Sequence, residues 1–192
     1  MKPIVVQPRM DFMLYAMDAV VNQAAKWSHM LGGQANPAVT IRGIINRGGE
    51  QGAQHSQALH AWFAHVPGLR VVMPSTVADA RDLMIASVLC NDPVLYIDDR
   101  WLYEGNERIS NVVELDLKKQ GPSRIVEGKD ITIVSSSYST KLAIATHEKL
   151  NELGISSEVI DLRVINPFDC KLISESVSKT GRLVVIDGSW KT

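Results

Sequence analysis

The residue type and position best suited to chemistry is His55. It follows a glycine-bearing stretch, Arg47-Gly48-Gly49-Glu50-Gln51-Gly52, and stands near the start of a helix predicted over 54–65. A helix N-terminus favours nearby negative charge and disfavours imidazolium. Such a position keeps a histidine neutral and able to donate a hydrogen bond, as in triosephosphate isomerase. A donor of that kind suits a carbonyl oxygen that gains charge during reaction. On residue type alone, a helix-cap histidine of structural use is the competing reading. His60 and His65 share the predicted helix, but spacing by five turns successive side chains away from one face. A zinc pair needs spacing nearer four, so both read as structural and no transition metal is expected. His29 and His147 read as surface or core residues. The glycine stretch matches neither GxGxxG nor the P-loop pattern. It reads as a flexible turn that brings His55 to a ligand, with glycine allowing close backbone approach.

Alternating helix-length and strand-length segments must position these residues, and that alternation predicts an α/β fold built on parallel sheet. Ile4-Val5-Val6 reads as a strand. Residues 12–30 read as one long helix with Leu14, Met17, Val21, Ala24 and Ala25 at helical spacing, ended by Gly32-Gly33. Val39-Thr40-Ile41 is a short β-branched strand. The helix over 54–65 stops at Pro67-Gly68, and 69–73 is a strand. Thr76 caps a helix over 78–89. Residues 93–97 form a continuous apolar strand of the kind buried on both faces. Residues 105–122 are polar, carry Gly105, Gly121 and Pro122 near their ends, and read as a linker. The pattern then restarts over 123–192: strands at 131–134, 157–161 and 183–186, and helices at 140–153 and 169–179.

Charge and composition exclude several classes. The formal net charge is −1, so nothing calls for nucleic acid or an anionic membrane. No apolar run reaches bilayer length, and the first residues lack a signal-peptide pattern. Cys90 and Cys170 make neither a disulfide framework nor a zinc motif, and read as small buried residues of a reducing cytosol. The first unit opens directly on a strand and the second stops just after one. Strand edges are normally paired or covered, so both ends read as cut.

Four ordered blocks resemble one family. FMLYAMDAVVNQAAKWSHMLGG (12–33), GAQHSQALHAWFAHVPGLRVVMPSTVADARDL (52–83), DPVLYIDDRWLY (92–103) and EVIDLRVINPFD (158–169) are similar to the beta chain of the thiamine-diphosphate-dependent 2-oxo acid dehydrogenases, within the transketolase-like superfamily. The resemblance implies a pyrimidine-binding domain over 1–104, a linker over 105–122 and a transketolase C-terminal-type domain over 123–192, each domain incomplete. It implies that His55, in AQHSQ, works at the active site. Phe12 matches an aromatic that packs on the aminopyrimidine ring, though a core phenylalanine at a helix start reads equally well. Tyr15 and Pro8 line the same pocket in this reading, and Pro8 departs from a longer apolar residue. Val39, Ser87, Cys90 and Asp92 match positions of a structural potassium site, where a plain helix-to-strand turn is the stronger reading.

The Gly-Asp-Gly signature for the diphosphate and Mg²⁺ is absent. An alpha subunit is therefore expected to hold both, and a lipoyl acyltransferase core to receive the acyl group. The glutamate that activates the pyrimidine lies upstream of the first strand in the family. Glu50 is the only glutamate among residues 1–100, and it sits in the wrong block. The chain alone is thus expected to be inactive and, with its docking surfaces bare, prone to self-association. Ketol transfer on sugar phosphates and a non-catalytic partner subunit remain as alternatives.

Overall fold

The computed structural model describes residues 1–46 and 51–190. Two sheets form. The first has the order β1 (Ile4–Gln7), β2 (Thr40–Ile45), β4 (Val94–Asp99), β3 (Arg70–Val72), β8 (Val164–Asn166). Its first four strands run parallel, and β8 joins β3 antiparallel. The second has the order β5 (Ser123–Val126), β7 (Ser157–Asp161), β6 (Ile131–Ser135), β9 (Leu183–Ile186), with β5 antiparallel. The helices are α1 (Trp27–Met30), α2 (His60–Ala64), α3 (Val77–Leu89), α4 (Tyr138–Glu152) and α5 (Lys171–Thr180). The α/β parallel-sheet class expected from the sequence is the one observed.

Strand β4 is buried along its whole length because both faces of the sheet are covered. Leu95 and Ile97 face one cluster with Met10, Met13, Phe63 and Val71, while Val94 and Tyr96 face another with Leu83, Ala86 and Leu117. This is the period-two alternation of a strand between two layers.

Two expectations are corrected. The long helix over 12–30 is a helical path in three registers: a tight 3₁₀ stretch Met10–Ala16, a wide π stretch Asp18–Ala24, and α1. The 3₁₀ turn nearly eclipses residues three apart, so Met10 and Met13 are both buried, packed close over Gly43. The wider turn puts Val20 and Ala25, five apart, on the buried side, with the Ala25 amide donating to the Val20 carbonyl at 3.0 Å.

The helix over 54–65 survives only as a 3₁₀ turn Ala53–His55 and as α2. Tertiary bonds replace helical ones between them. The Gln57 amide donates to Asp11 at 3.0 Å, and the Ala58 carbonyl accepts from Ser189 at 3.0 Å. Residues 105–122, read as a linker, pack in part along α3. Arg81 donates to the Ser110 and Asn111 carbonyls, and Leu117 is buried against Leu83 and Ala86. Strands β5 and β8 had no counterpart in the sequence reading. The cap at Thr76 forms as expected, its hydroxyl accepting from the Asp79 amide at 3.1 Å. The turn Arg47-Gly48-Gly49-Glu50 lies outside the described residues.

Candidate functional site

The segment Pro8–Phe12 and the loop Gln51–Gln57 are joined by three independent contacts. The Arg9 guanidinium donates to Gln51 Oε1 at 2.7 and 3.2 Å. Asp11 Oδ1 accepts from the Gln57 amide at 3.0 Å. Between these two ties, the Phe12 and His55 rings meet edge to face, with centroids 5.1 Å apart and planes at 76°. Phe12 remains half-exposed although it packs on His55, so an open aromatic surface stands beside an imidazole. Such a surface suits stacking of a flat heterocycle. The imidazole supplies hydrogen bonding and proton exchange next to it.

Of the four residues read as catalytic or cofactor-binding, the structure thus brings Phe12 and His55 together. Pro8 is exposed, and its carbonyl accepts from Arg9 at 2.7 Å, which makes it part of the tie. Tyr15 is fully exposed and makes no ring contact among the described residues. His55 closes a three-residue turn instead of starting a helix, so the dipole reason for its neutrality lapses. Asp11 is tied to the same loop at Gln57, two residues downstream of His55. Arg9, Asp11 and Gln51 were missed as site residues. The only local signal was a pair of opposite charges flanking Met10; the burial of Asp11 and its bond to Gln57 are tertiary facts.

Two family models match the chain. "Transketolase, pyrimidine binding domain" matches residues 1–104 and "Transketolase, C-terminal domain" matches residues 122–192. The chain belongs to the transketolase family. Among curated relatives, this transketolase-family chain is similar to "Pyruvate dehydrogenase E1 component subunit beta" of Rhizobium meliloti, 39% identical over 188 residues, covering 97% of this chain and 41% of that protein. It is also similar to the Cupriavidus necator "Acetoin:2,6-dichlorophenolindophenol oxidoreductase subunit beta", 40% identical, covering 97% and 55%. A mitochondrial pyruvate dehydrogenase E1 beta-1 subunit of Arabidopsis thaliana is 40% identical, covering 97% and 52%. The chain thus spans about half the length of these relatives. Among solved structures, it superposes on a split-gene transketolase, an inactive beta4 tetramer, with a TM-score of 0.80 at 22% identity, covering 98% of this chain and 58% of that one. The Leishmania mexicana transketolase gives 0.73 at 18% identity, covering 98% and 27%. At these identities the structures establish the fold.

The transketolase C-terminal segment is docked on the first sheet through EVIDLRVINPFD. Arg163 makes a bidentate pair with Asp79 at 2.7 and 2.9 Å, in the first turn of α3. Ser75 donates to Asp161 at 2.5 Å, Thr140 donates to it at 3.0 Å, and Asn166 donates to the Val66 and Leu69 carbonyls. Burial pushes the Asp161 carboxyl up to about 6, against the pull of the Ser75 and Thr140 hydroxyls. An acid raised from its ordinary value near 4 contributes stability fully present below that value and lost as pH rises through 6. The denaturation midpoint is therefore expected to fall between pH 4 and pH 7. Asp161→Asn is expected to flatten that part of the profile, as read by urea unfolding at each pH; an unchanged slope would contradict the assignment.

A cavity of about 590 Å³ also lies between the sheets, lined in part by Arg42, Tyr96, Asp98, Tyr103, Thr140 and Lys141. Its polar end is already satisfied. Arg42 pairs with Asp98 at 2.5 Å, and Tyr103 donates to Asp98 at 2.6 Å. Burial and the Asp98 carboxylate push the Tyr103 hydroxyl well up. Neither Phe12 nor His55 lines this cavity.

The positions matched to a potassium site are engaged elsewhere. The Val39 carbonyl accepts from the Val94 amide, and Ser87 donates to the Leu83 carbonyl at 2.6 Å. The Lys2 ammonium donates to the Leu89 and Cys90 carbonyls, and Asp92 pairs with Arg70 at 2.8 Å. A lysine thus sits at the C-terminus of α3, where a cation is favoured. Among the described residues no group of three or more His, Cys, Asp or Glu side chains is placed to hold a metal ion. His60 donates to Asp187 at 3.0 Å, a structural tie between α2 and the end of the chain.

Proposed function

We propose that this chain is the pyrimidine-side part of a beta subunit in a thiamine-diphosphate-dependent enzyme that decarboxylates a 2-oxo acid and passes the acyl group to a lipoyl carrier. The observation that carries this reading is the Phe12–His55 contact, held from both flanks by Arg9 and Asp11. The similarity to beta subunits of pyruvate dehydrogenase E1 gives it its substrate class.

The residues present fit one half of the cofactor. An exposed aromatic face and a neighbouring imidazole suit an aminopyrimidine, whereas no described cluster suits Mg²⁺ and a diphosphate. Those groups belong to an alpha subunit in this reading. When bound, thiamine diphosphate supplies the nucleophilic carbon and the electron sink for decarboxylation. Phe12 then orients the pyrimidine by contact with its face. His55 gives a hydrogen bond or a proton to the substrate's carbonyl oxygen as charge builds there. The ties through Arg9 and Asp11 fix the distance between those two functions.

Strands β1 and β9, each at the edge of its sheet, leave Ile4, Val5, Val6, Leu183, Val184 and Val185 exposed. That apolar surface supports docking to a partner chain. Cys90 is buried as expected, whereas Cys170 is exposed, contrary to expectation; so few cysteines in the sequence suit a reducing compartment such as the cytosol.

Thiamine, which carries the pyrimidine without the diphosphate, is the probe for this half-site. In titrations followed by NMR, it is expected to shift the Phe12 and His55 signals at millimolar concentration. Shifts confined to other residues, or no shift at all, would overturn the assignment.

A further inference from the structure

We propose that Asp11 is the positioning residue of His55, holding its loop and fixing which ring nitrogen carries the proton. This rests on the reading of His55 as the substrate-facing group. Asp11 is buried, and its Oδ1 accepts from the Gln57 amide at 3.0 Å. The next residue, Phe12, meets the His55 ring. The carboxylate and the imidazole therefore stand on two segments fastened together on either side of them.

Each carries a buried atom with no hydrogen-bond partner among the described residues: Oδ2 of Asp11 and Nδ1 of His55. A buried polar atom left unpaired is costly. The two atoms are complementary. A carboxylate oxygen only accepts, and Nδ1 donates in one of the two neutral tautomers. They are unpaired in this conformation, and in this proposal a side-chain rotation brings them together and satisfies both. Nδ1–H then faces Asp11, and Nε2 is the nitrogen that exchanges a proton with the substrate. The arrangement follows the logic of a carboxylate that orients a catalytic histidine through its far nitrogen.

Asparagine at position 11 separates holding from orienting. In Asp11→Asn the amide oxygen still accepts from Gln57, but the amide NH₂ turns a donor toward Nδ1 and selects the opposite tautomer. The measurement is the ¹⁵N shifts of the His55 ring in the unliganded chain. The wild type is expected to show a protonated Nδ1 and a bare Nε2, and Asp11→Asn the reverse. The same tautomer in both proteins would overturn the orienting role. Amide exchange at Gln57 tests the hold: at least tenfold faster exchange is expected in Asp11→Ala and near wild-type exchange in Asp11→Asn. Equal exchange in all three would overturn it. If the alanine variant does not fold, the asparagine comparison still decides the orienting role. Neither readout uses a ligand, so a failed thiamine titration would overturn the site assignment and leave these results standing.

Discussion

Replacing His55 by alanine is expected to lower kcat of the assembled enzyme by roughly 100- to 1,000-fold, the usual loss when one donor to a developing oxyanion is removed. The half-exposed Phe12 surface is not built from His55 alone, so cofactor affinity should change far less than kcat. That split distinguishes a group acting in the transition state from one that only binds. A matched loss in KM and kcat, or a rate within threefold of wild type, would contradict the role. The variant's unfolding midpoint serves as the control for a loss of folding rather than of chemistry.

Gly68→Ala is expected to be strongly destabilising. Gly68 adopts φ +91°, where an L side chain is strained. A Cβ built there falls 1.9 Å from the Ala25 carbonyl oxygen, a backbone atom that cannot rotate away. Pro67 on its other side is held by the Lys26 ammonium at 2.6 Å. Relief requires the helical path Met10–Met30 to move off β3. The combined strain and overpacking should cost about 3 kcal/mol or more. Denaturant unfolding measures this, and a loss below about 1 kcal/mol would contradict the close approach. Because Met10 and Met13 ride on the same path, the Phe12–His55 contact should loosen as well, visible as a loss of the ring-current shift on His55.

The sequence made some of this legible and hid the rest for identifiable reasons. The strands β1, β2, β3, β4, β6, β7 and β9 were readable because parallel strands are short apolar runs between turn signals. Strands β5 and β8 were not, because they are polar-flanked edge segments whose pairing is set by tertiary contacts. Val164–Asn166 becomes a strand by lying against β3, where Asn166 caps the Val66 and Leu69 carbonyls.

His55 was singled out through its motif, but its local structure was misjudged. Periodicity over 54–65 favours a helix, and nothing local announces that the Gln57 amide is claimed by Asp11, 46 residues away. The same long-range bond is why Asp11 went unnoticed: a carboxylate's partner cannot be read from its neighbours in the chain. The break of the first helix into three registers is likewise a packing outcome, imposed by Gly43 on one side and Gly68 on the other.

The central claim is that this chain offers only the pyrimidine side of a shared cofactor site. Calorimetric titration of thiamine diphosphate with Mg²⁺ into the purified chain tests it most directly. The account predicts no saturable heat at micromolar concentration, because no group of three or more His, Cys, Asp or Glu among the described residues is placed to hold the metal that anchors the diphosphate. Saturable binding at one site per chain would contradict it and would require the chain to hold the diphosphate itself.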